Sequence, residues 1–310
     1  ISHDVRTPVT GIVGLIELLR SQPIDARTRQ MVDSVRQSAA SLTTMLDDFL
    51  DAARADAGLL EVKTEPVPVD ALVESVTDMV GPLARAKGLI LITGTAPDLP
   101  PRVMLDPGRV RQILLNVVSN AVKFTAAGVV ALTAEADSGD IVFTCRDTGP
   151  GLGSQPPDDV FRAFVRGTER QGRVAAGAGL GLAIASKLAE VMGGSLRVAA
   201  TGPSGSTFVL RLPLVVASGT PSSAGPLQGQ RVSVLGPEIA VAAIELSLAR
   251  AGAEVVPDGA EVTVLISPDV PVSAPGAGRT VVLAAVEPFR IPLDATGVWS
   301  VPISEAALTA

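Results

Sequence analysis

The chain has 310 residues, room for two or three domains, and 47% of them are hydrophobic, enough to close a core in each. Charged residues make up only 18%, without long runs, which excludes large-scale disorder. The net charge of −7 argues against nucleic acid as the main partner, because backbone binding needs a basic face.

A single cysteine, Cys145, excludes an intramolecular disulfide and cannot alone build a zinc site. It lies in the apolar run Ile141-Val142-Phe143-Thr144-Cys145, which predicts a buried core thiol. No apolar run approaches the ~20 residues needed to span a bilayer, and no signal peptide is visible. The expected location is therefore cytoplasmic. The chain opens directly in a motif at Ile1-Ser2-His3, which predicts upstream regions; any membrane attachment would come through those regions alone.

In chain order, Val5, Val9, Ile12, Ile16 and Leu19 recur at spacings of four and three. After a break near Pro23, a second series runs Met31, Val35, Leu42, Met45, Phe49 and Ala52, with Ser38 as a polar interruption. Two such stripes predict an antiparallel helical hairpin over residues 1–60. Its bare apolar surface predicts a homodimer in the form of a four-helix bundle. Over residues 61–215 helices and strands alternate: helices at 70–87, 107–124 and 179–192, strands at 89–93, 129–135, 141–146 and 207–212. That is an α/β sandwich with helices on a mixed sheet. Residues 216–229, rich in Ser, Gly and Pro, read as a linker. Residues 230–310 form a small α/β domain, with strands at 231–235, 262–266, 280–284 and 298–301 and a helix at 238–251.

The only histidine lies in Ser2-His3-Asp4-Val5-Arg6-Thr7-Pro8. Much of an imidazole is unprotonated at neutral pH and nucleophilic. Asp4 at the next position suits an orienting and proton-accepting role. His3 lies off the apolar stripe and should face solvent, with Thr7 one turn later on the same face.

The helix beginning at Asp106-Pro107 carries Asn116, Asn120 and Lys123 on one face. Amide oxygens are hard ligands for Mg²⁺ and an ammonium pairs with phosphate, so this face suits a magnesium triphosphate. Asp147-Thr148-Gly149-Pro150-Gly151 follows a strand. An aspartate there can accept from an amino group such as that of adenine, and Gly149 and Gly151 allow close backbone approach. Gly177-Ala178-Gly179-Leu180-Gly181-Leu182 opens a helix whose free amides suit phosphate. A dinucleotide fingerprint does not fit, because residues 167–176 read as a polar loop where a strand would be needed.

These strings, in this order, resemble bacterial sensor histidine kinases of the hybrid type. The heptapeptide resembles their H-box, and the three later strings their N, G1 and G2 boxes. Phe161 and Phe164 correspond to the F-box, and Gly205-Ser206-Thr207-Phe208 to the last glycine box. Ala163 departs from the proline common between the two phenylalanines. The resemblance covers about residues 1–215. It implies a multidomain α and α/β chain whose hairpin dimerises and whose residues 61–215 take the GHKL (Bergerat-type) ATP-binding fold. It implies ATP and Mg²⁺ as cofactors, His3 as the phosphorylated residue, Asp4 as its acid/base partner and Thr7 as a phosphatase residue that positions water. By the same resemblance Asn120 is the chief Mg²⁺ ligand with Asn116 assisting, Lys123 contacts phosphate and Asp147 reads adenine. Gly149, Gly151, Gly177, Gly179, Leu180, Gly181, Leu182 and Thr207 complete the ATP site. Residues 153–176 would form a lid in which Arg166, Arg170 and Arg173 meet the γ-phosphate.

Residues 230–310 look like a degenerate receiver domain. The first strand leads into Gly236-Pro237 and the third into Ser267-Pro268, where a working receiver has acidic residues, and the last lysine of the chain is Lys187. The alternative is an unrelated small α/β domain. Phosphate is therefore expected to pass to a response regulator or other receiver domain in trans. ATPases of related fold need a carboxylate one turn before the Mg-binding asparagine, and Asn116 stands there instead. A scaffold without chemistry is the third reading; the intact His3, Asp4, Asn120 and Asp147 speak against it.

Overall fold

The computed structural model describes residues 60–162, 180–217, 227–257, 262–267 and 279–284, with residues 11, 14–16, 18–20, 22, 24, 25, 27–36, 39, 54 and 58 of the first segment. In that segment the helical residues are 11, 14–16 and 18–20 (α1), 27–36 (α2), 39 and 54. The Asp25 side chain accepts from the Thr28 N–H at 2.9 Å and the Thr28 hydroxyl at 2.7 Å, a cap at the start of α2. Ile16, Val32 and Ala39 are buried together with Ile24 against them, and Arg20 Nε reaches Asp33 Oδ1 at 3.1 Å. The expected apolar stripe thus divides. Ile16 turns inward, while Leu15, Leu18, Leu19, Met31 and Val35 are each at least half exposed.

The next unit begins with β1 (Glu65–Pro68), α3 (Val69–Ala86), β2 (Ile90–Thr95), β3 (Arg102–Leu105) and α4 (Pro107–Phe124). It continues through β4 (Val129–Asp137), β5 (Asp140–Asp147), a 3-10 turn at Pro157–Phe161, α5 (Gly181–Val191), β6 (Ser195–Gly202) and β7 (Gly205–Pro213). A buried stripe of Val110, Ile113, Leu114, Val117, Val118, Ala121 and Val122 makes α4 amphipathic. Its first turn is fixed by Pro107 and by Asp106, whose carboxylate accepts from Arg109 N at 3.0 Å and from Lys63 N at 2.9 Å. Its last carbonyls are held by Lys87, whose Nζ donates to the carbonyl oxygens of Val122, Lys123 and Thr125.

The main sheet has strand order β2-β4-β5-β7-β6, with β2 and β4 parallel and the remaining pairs antiparallel. β1 and β3 form a separate antiparallel ribbon. β1 and β6 were not anticipated, because two prolines interrupt β1 and β6 is a largely exposed edge. One face of the sheet packs against α3, α4 and α5 through Leu91, Val130, Leu132, Phe143 and Leu210. Cys145 is buried in that core, as expected, and burial pushes its thiol up.

The tail contributes β8 (Arg231–Leu235), α6 (Glu238–Arg250), β9 (Glu254–Val255), β10 (Val262–Ser267) and β11 (Arg279–Ala284), a parallel sheet in the order β11-β10-β8-β9. The expected strand at 298–301 lies outside the described residues. Its helix does not stand apart. Ile90, Ile92, Val129 and Ala131, on the second face of the main sheet, share one buried cluster with Ala240, Ala243, Ile244 and Leu248 of α6. A Cβ added at Gly94 would stand 2.2 Å from the Ala243 carbonyl oxygen, so β2 admits the helix there only because it carries no side chain. Ser247 Oγ donates to Thr93 O at 3.1 Å. The start of the expected linker also pairs with the second unit, since Val216 bridges Val103 and Ala217 N donates to Arg102 O.

Candidate functional site

Two turns of α4 place Asn116, Asn120 and Lys123 half-buried on one face, as the spacing predicts. Asn116 is buried at its amide nitrogen, which has no partner among the described residues. Its Oδ1 faces the first residue of α5, where a Cβ added at Gly181 would stand 3.0 Å away. The glycine lets the start of one helix close on the amide of another. The Asn120 side chain makes no hydrogen bond among the described residues. Lys123 Nζ lies 5.0 Å from the centroid of the neighbouring Phe124 ring. Leu180 precedes α5 and Leu182 lies in its first turn, both half-buried against the core.

At the end of β5, Asp147 is 9% exposed and held by backbone. Its Oδ1 accepts from Gly149 N at 2.8 Å and from Ser206 N at 3.3 Å, while Oδ2 takes no hydrogen bond from any described residue. Burial raises its pKa, and the two N–H donors draw it back down. The carboxylate therefore offers one anchored and one open oxygen, a suitable acceptor for an external N–H donor.

The glycines around it have separate reasons. A Cβ at Gly149 would stand 2.8 Å from Asp147 Oδ1 and 3.1 Å from Thr125 Oγ1. At Gly151, with φ +68°, it would meet the Gly202 carbonyl oxygen at 2.1 Å. So Gly151 is required by the loop packing on the end of β6, where Leu152 N also donates to Thr201 Oγ1 at 2.9 Å. Gly205 has φ +135°, and a Cβ there would lie 1.8 Å from Asp147 O. Thr207 is half-buried opposite Arg146, and its hydroxyl makes no hydrogen bond among the described residues; the preceding Ser206, opposite Asp147, supplies the anchoring N–H. Ser206 was not singled out within that glycine box, because its contribution is a backbone donor set by strand register. Thr148 was also missed as a lock: its Oγ1 accepts from Val129 N at 2.9 Å and ties the loop to β4.

Phe161 meets Phe208 edge to face, with centroids 6.4 Å apart, which anchors the segment after Gly151 to β7. His3, Asp4, Thr7, Gly177, Gly179, Ala163, Phe164, Arg166, Arg170 and Arg173 lie outside the described residues. Among the described residues no cluster of three or more His, Cys, Asp and Glu could hold a metal ion, and no helix is long and apolar enough to cross a membrane.

Comparison with known proteins matches residues 105–216 to the histidine kinase-, DNA gyrase B- and HSP90-like ATPase family, and residues 1–58 to the His kinase A phospho-acceptor domain. The sensor protein TorS of Escherichia coli is 36% identical over 219 residues, which are 70% of this chain and 24% of TorS. The sensor histidine kinase GacS of Pseudomonas protegens is 35% identical over 264 residues, 83% of this chain and 29% of GacS. This chain thus spans about a quarter of the length of such relatives. Among solved structures, full-length ShkA in complex with AMPPNP aligns with a TM-score of 0.74 and 35% identity, covering 91% of this chain and 62% of ShkA. A phosphoacceptor hairpin followed by an ATPase-type sandwich, each matched in its own right, places the chain in the sensor histidine kinase family.

Proposed function

We propose that this chain is the catalytic end of a protein histidine kinase: it phosphorylates His3 from Mg-ATP and passes the phosphoryl group to an aspartate of a separate response regulator. The observation that carries the nucleotide half is Asp147, a buried carboxylate with one oxygen fixed by two backbone N–H groups and the other open. It suits the 6-amino group of adenine. The complex of the similar ShkA with AMPPNP supports an adenine nucleotide.

At the other end of the site, the unpaired amide of Asn116 against the glycine that opens α5 suits a magnesium-bound phosphate chain. Asn120 and Asn116 would hold the ion by their amide oxygens, and the ion, when bound, neutralises phosphate charge. Gly177, Gly179, Leu180, Gly181 and Leu182 would supply backbone amides to phosphate, and Lys123 a cation. Thr207 completes the wall next to Asp147.

In the transfer step one imidazole nitrogen of His3 attacks the γ-phosphorus as the bond from that phosphorus to the ADP oxygen breaks. Asp4 takes the proton from the other ring nitrogen. The protein's part is positioning and charge neutralisation. Thr7 positions water for the separate phosphatase reaction, in which that water attacks the phosphorus of the partner's phosphoaspartate and releases inorganic phosphate. The half-exposed Leu15, Leu18, Leu19, Met31 and Val35 favour a homodimer through the hairpin. The tail is a receiver-like unit without phosphorylation chemistry, and the region is cytoplasmic.

Incubation with γ-labelled ATP tests the proposal. Acid-labile, alkali-stable label on the protein is expected. His3→Gln removes the label and leaves nucleotide binding intact, whereas Asp147→Asn removes both. Normal labelling of the His3→Gln variant overturns the acceptor assignment.

A further inference from the structure

Lys87 closes the ends of two helices at once. Its backbone is the C-cap of α3: Lys87 N and Leu89 N donate to Ala84 O at 3.1 and 3.0 Å, and Gly88 N to Arg85 O at 2.9 Å, with Gly88 left-handed at φ +69°. Its side chain leaves that cap and reaches the end of α4. There Nζ donates to Val122 O at 2.8 Å, to Thr125 O at 3.3 Å and to Lys123 O. An ammonium has three N–H groups, and these three carbonyls take them all.

The end of α4 lacks the closure that α3 has. Thr125 is extended, and its N–H takes up Ala121 O at 3.0 Å. Ala126 stands where a left-handed glycine would close the last turn, so the carbonyls of Val122 and Lys123 have no amide of their own helix to accept from. A cation from another helix serves them instead, at the end of the helix dipole that favours positive charge. The turn so held carries Lys123, the cation assigned to the phosphate chain. It also lies against the Asp147 loop, since a Cβ added at Gly149 would stand 3.5 Å from Phe124 O.

We propose that Lys87 is a positioning residue for the kinase reaction: by holding the carbonyls of the last α4 turn, it keeps the Lys123 side chain where it meets the phosphate chain of ATP. The inference rests on the reading of Lys123 as a phosphate contact. Helix ends fray, and a contact made from a turn that is formed only part of the time loses affinity by that fraction. Lys87 directs its own donors to main-chain oxygens, so it acts through the turn and not by touching phosphate.

The test is a double-mutant cycle in the full chain with Mg²⁺, with binding of ATP and of adenosine followed by NMR titration. Lys87 is exposed, so methionine enters there without repacking. Lys123→Met should weaken ATP binding about tenfold, the loss of one charged contact. Lys87→Met should weaken it about fivefold, as for a turn formed about a fifth of the time, and should add nothing in the Lys123→Met background. Adenosine, which has no phosphate, should bind all three variants as it binds wild type. Wild-type ATP affinity in Lys87→Met overturns the proposal. An equal loss of ATP and adenosine also overturns it, since Lys87 would then be a general support of the fold. So does a loss that persists undiminished in the Lys123→Met background, since the Lys87 charge would then act on phosphate directly. A Lys123→Met chain that binds ATP normally overturns the reading of Lys123, and a wild-type chain that binds neither ligand overturns the nucleotide pocket itself.

Discussion

The attachment of the tail to the ATP-binding unit depends on Arg250 more than on its ion pair. At the C-terminal end of α6, the Arg250 guanidinium donates through Nη1 to the carbonyls of Ala96 at 2.8 Å and Leu99 at 2.9 Å, and through Nε and Nη2 to Asp70 Oδ2 at 3.1 and 2.9 Å. The Asp70 side chain is 45% exposed, so the pair is screened and contributes only ~0.2–1 kcal/mol. The two carbonyls belong to Ala96 and Leu99, both buried. Each bond to a charged donor contributes ~1.5–3 kcal/mol, part of which water recovers when the arginine is removed. Arg250→Ala is therefore expected to cost about 3 kcal/mol, and Asp70→Asn, whose amide oxygen can still accept from Arg250 while its nitrogen donates to the Thr95 hydroxyl, less than about 1 kcal/mol. Because the buried cluster is continuous across the two units, they should melt together. For a unit of this size 3 kcal/mol corresponds to a drop of roughly 6–12 °C. Calorimetric melting of the two variants decides the matter. If Asp70→Asn falls as far as Arg250→Ala, the ion pair and not the carbonyl clamp holds the tail, and this reasoning is wrong.

Gly94→Ala should lift α6 from β2, because the added Cβ meets a helix main-chain oxygen that cannot swing aside; hydrogen exchange should show β2 and α6 losing protection together, and unchanged protection would refute the packing argument. Gly181→Ala presses only on the amide of Asn116, which can turn, so folding stability should hold or rise while ATP affinity falls in calorimetric titration; unchanged affinity would separate Asn116 from the phosphate site. Asp147 carries a pKa raised by burial, so ionising it subtracts stability as pH climbs above the ordinary carboxylate value of 3.8, and protonating it at low pH restores that stability. Asp147→Asn should accordingly be more stable than wild type at pH 7, with the gain fading as pH falls toward 4, and it should fail to bind ATP at either pH; a variant that is less stable at pH 7 would show that the anchored carboxylate helps the fold.

The helices were legible because their signals are local. Asp106 and Pro107 mark the start of α4, and its apolar spacing fixes its inward face, so its predicted bounds are those observed. The residues proposed to face the nucleotide were legible by type and spacing: Asn116 and Asn120 share a face, and Asp147 ends a strand. What holds them was not. Ser206 acts through its N–H, Lys87 through a contact with the end of a helix 35 residues away, and Gly151 through a carbonyl at Gly202. Each depends on strand register or on tertiary approach, which no local pattern encodes.

The third layer had a signal of its own. A sheet with one wet face should alternate apolar and polar residues, whereas strands covered on both faces read as continuous apolar runs. Leu89-Ile90-Leu91-Ile92 and Val129-Val130-Ala131-Leu132 do not alternate. In the structure Leu89, Leu91, Val130 and Leu132 face the helices α3 to α5, and Ile90, Ile92, Val129 and Ala131 face α6. The two strands are neighbours, and Ile90 lies opposite Val129 and Ile92 opposite Ala131. Those runs therefore already required something to cover the far side of β2 and β4. Small residues at 240 and 243 let the tail's helix come close enough to do it. The tail's helix thus serves as a wall of the ATP-binding unit, a role that needs apolar surface and an arginine.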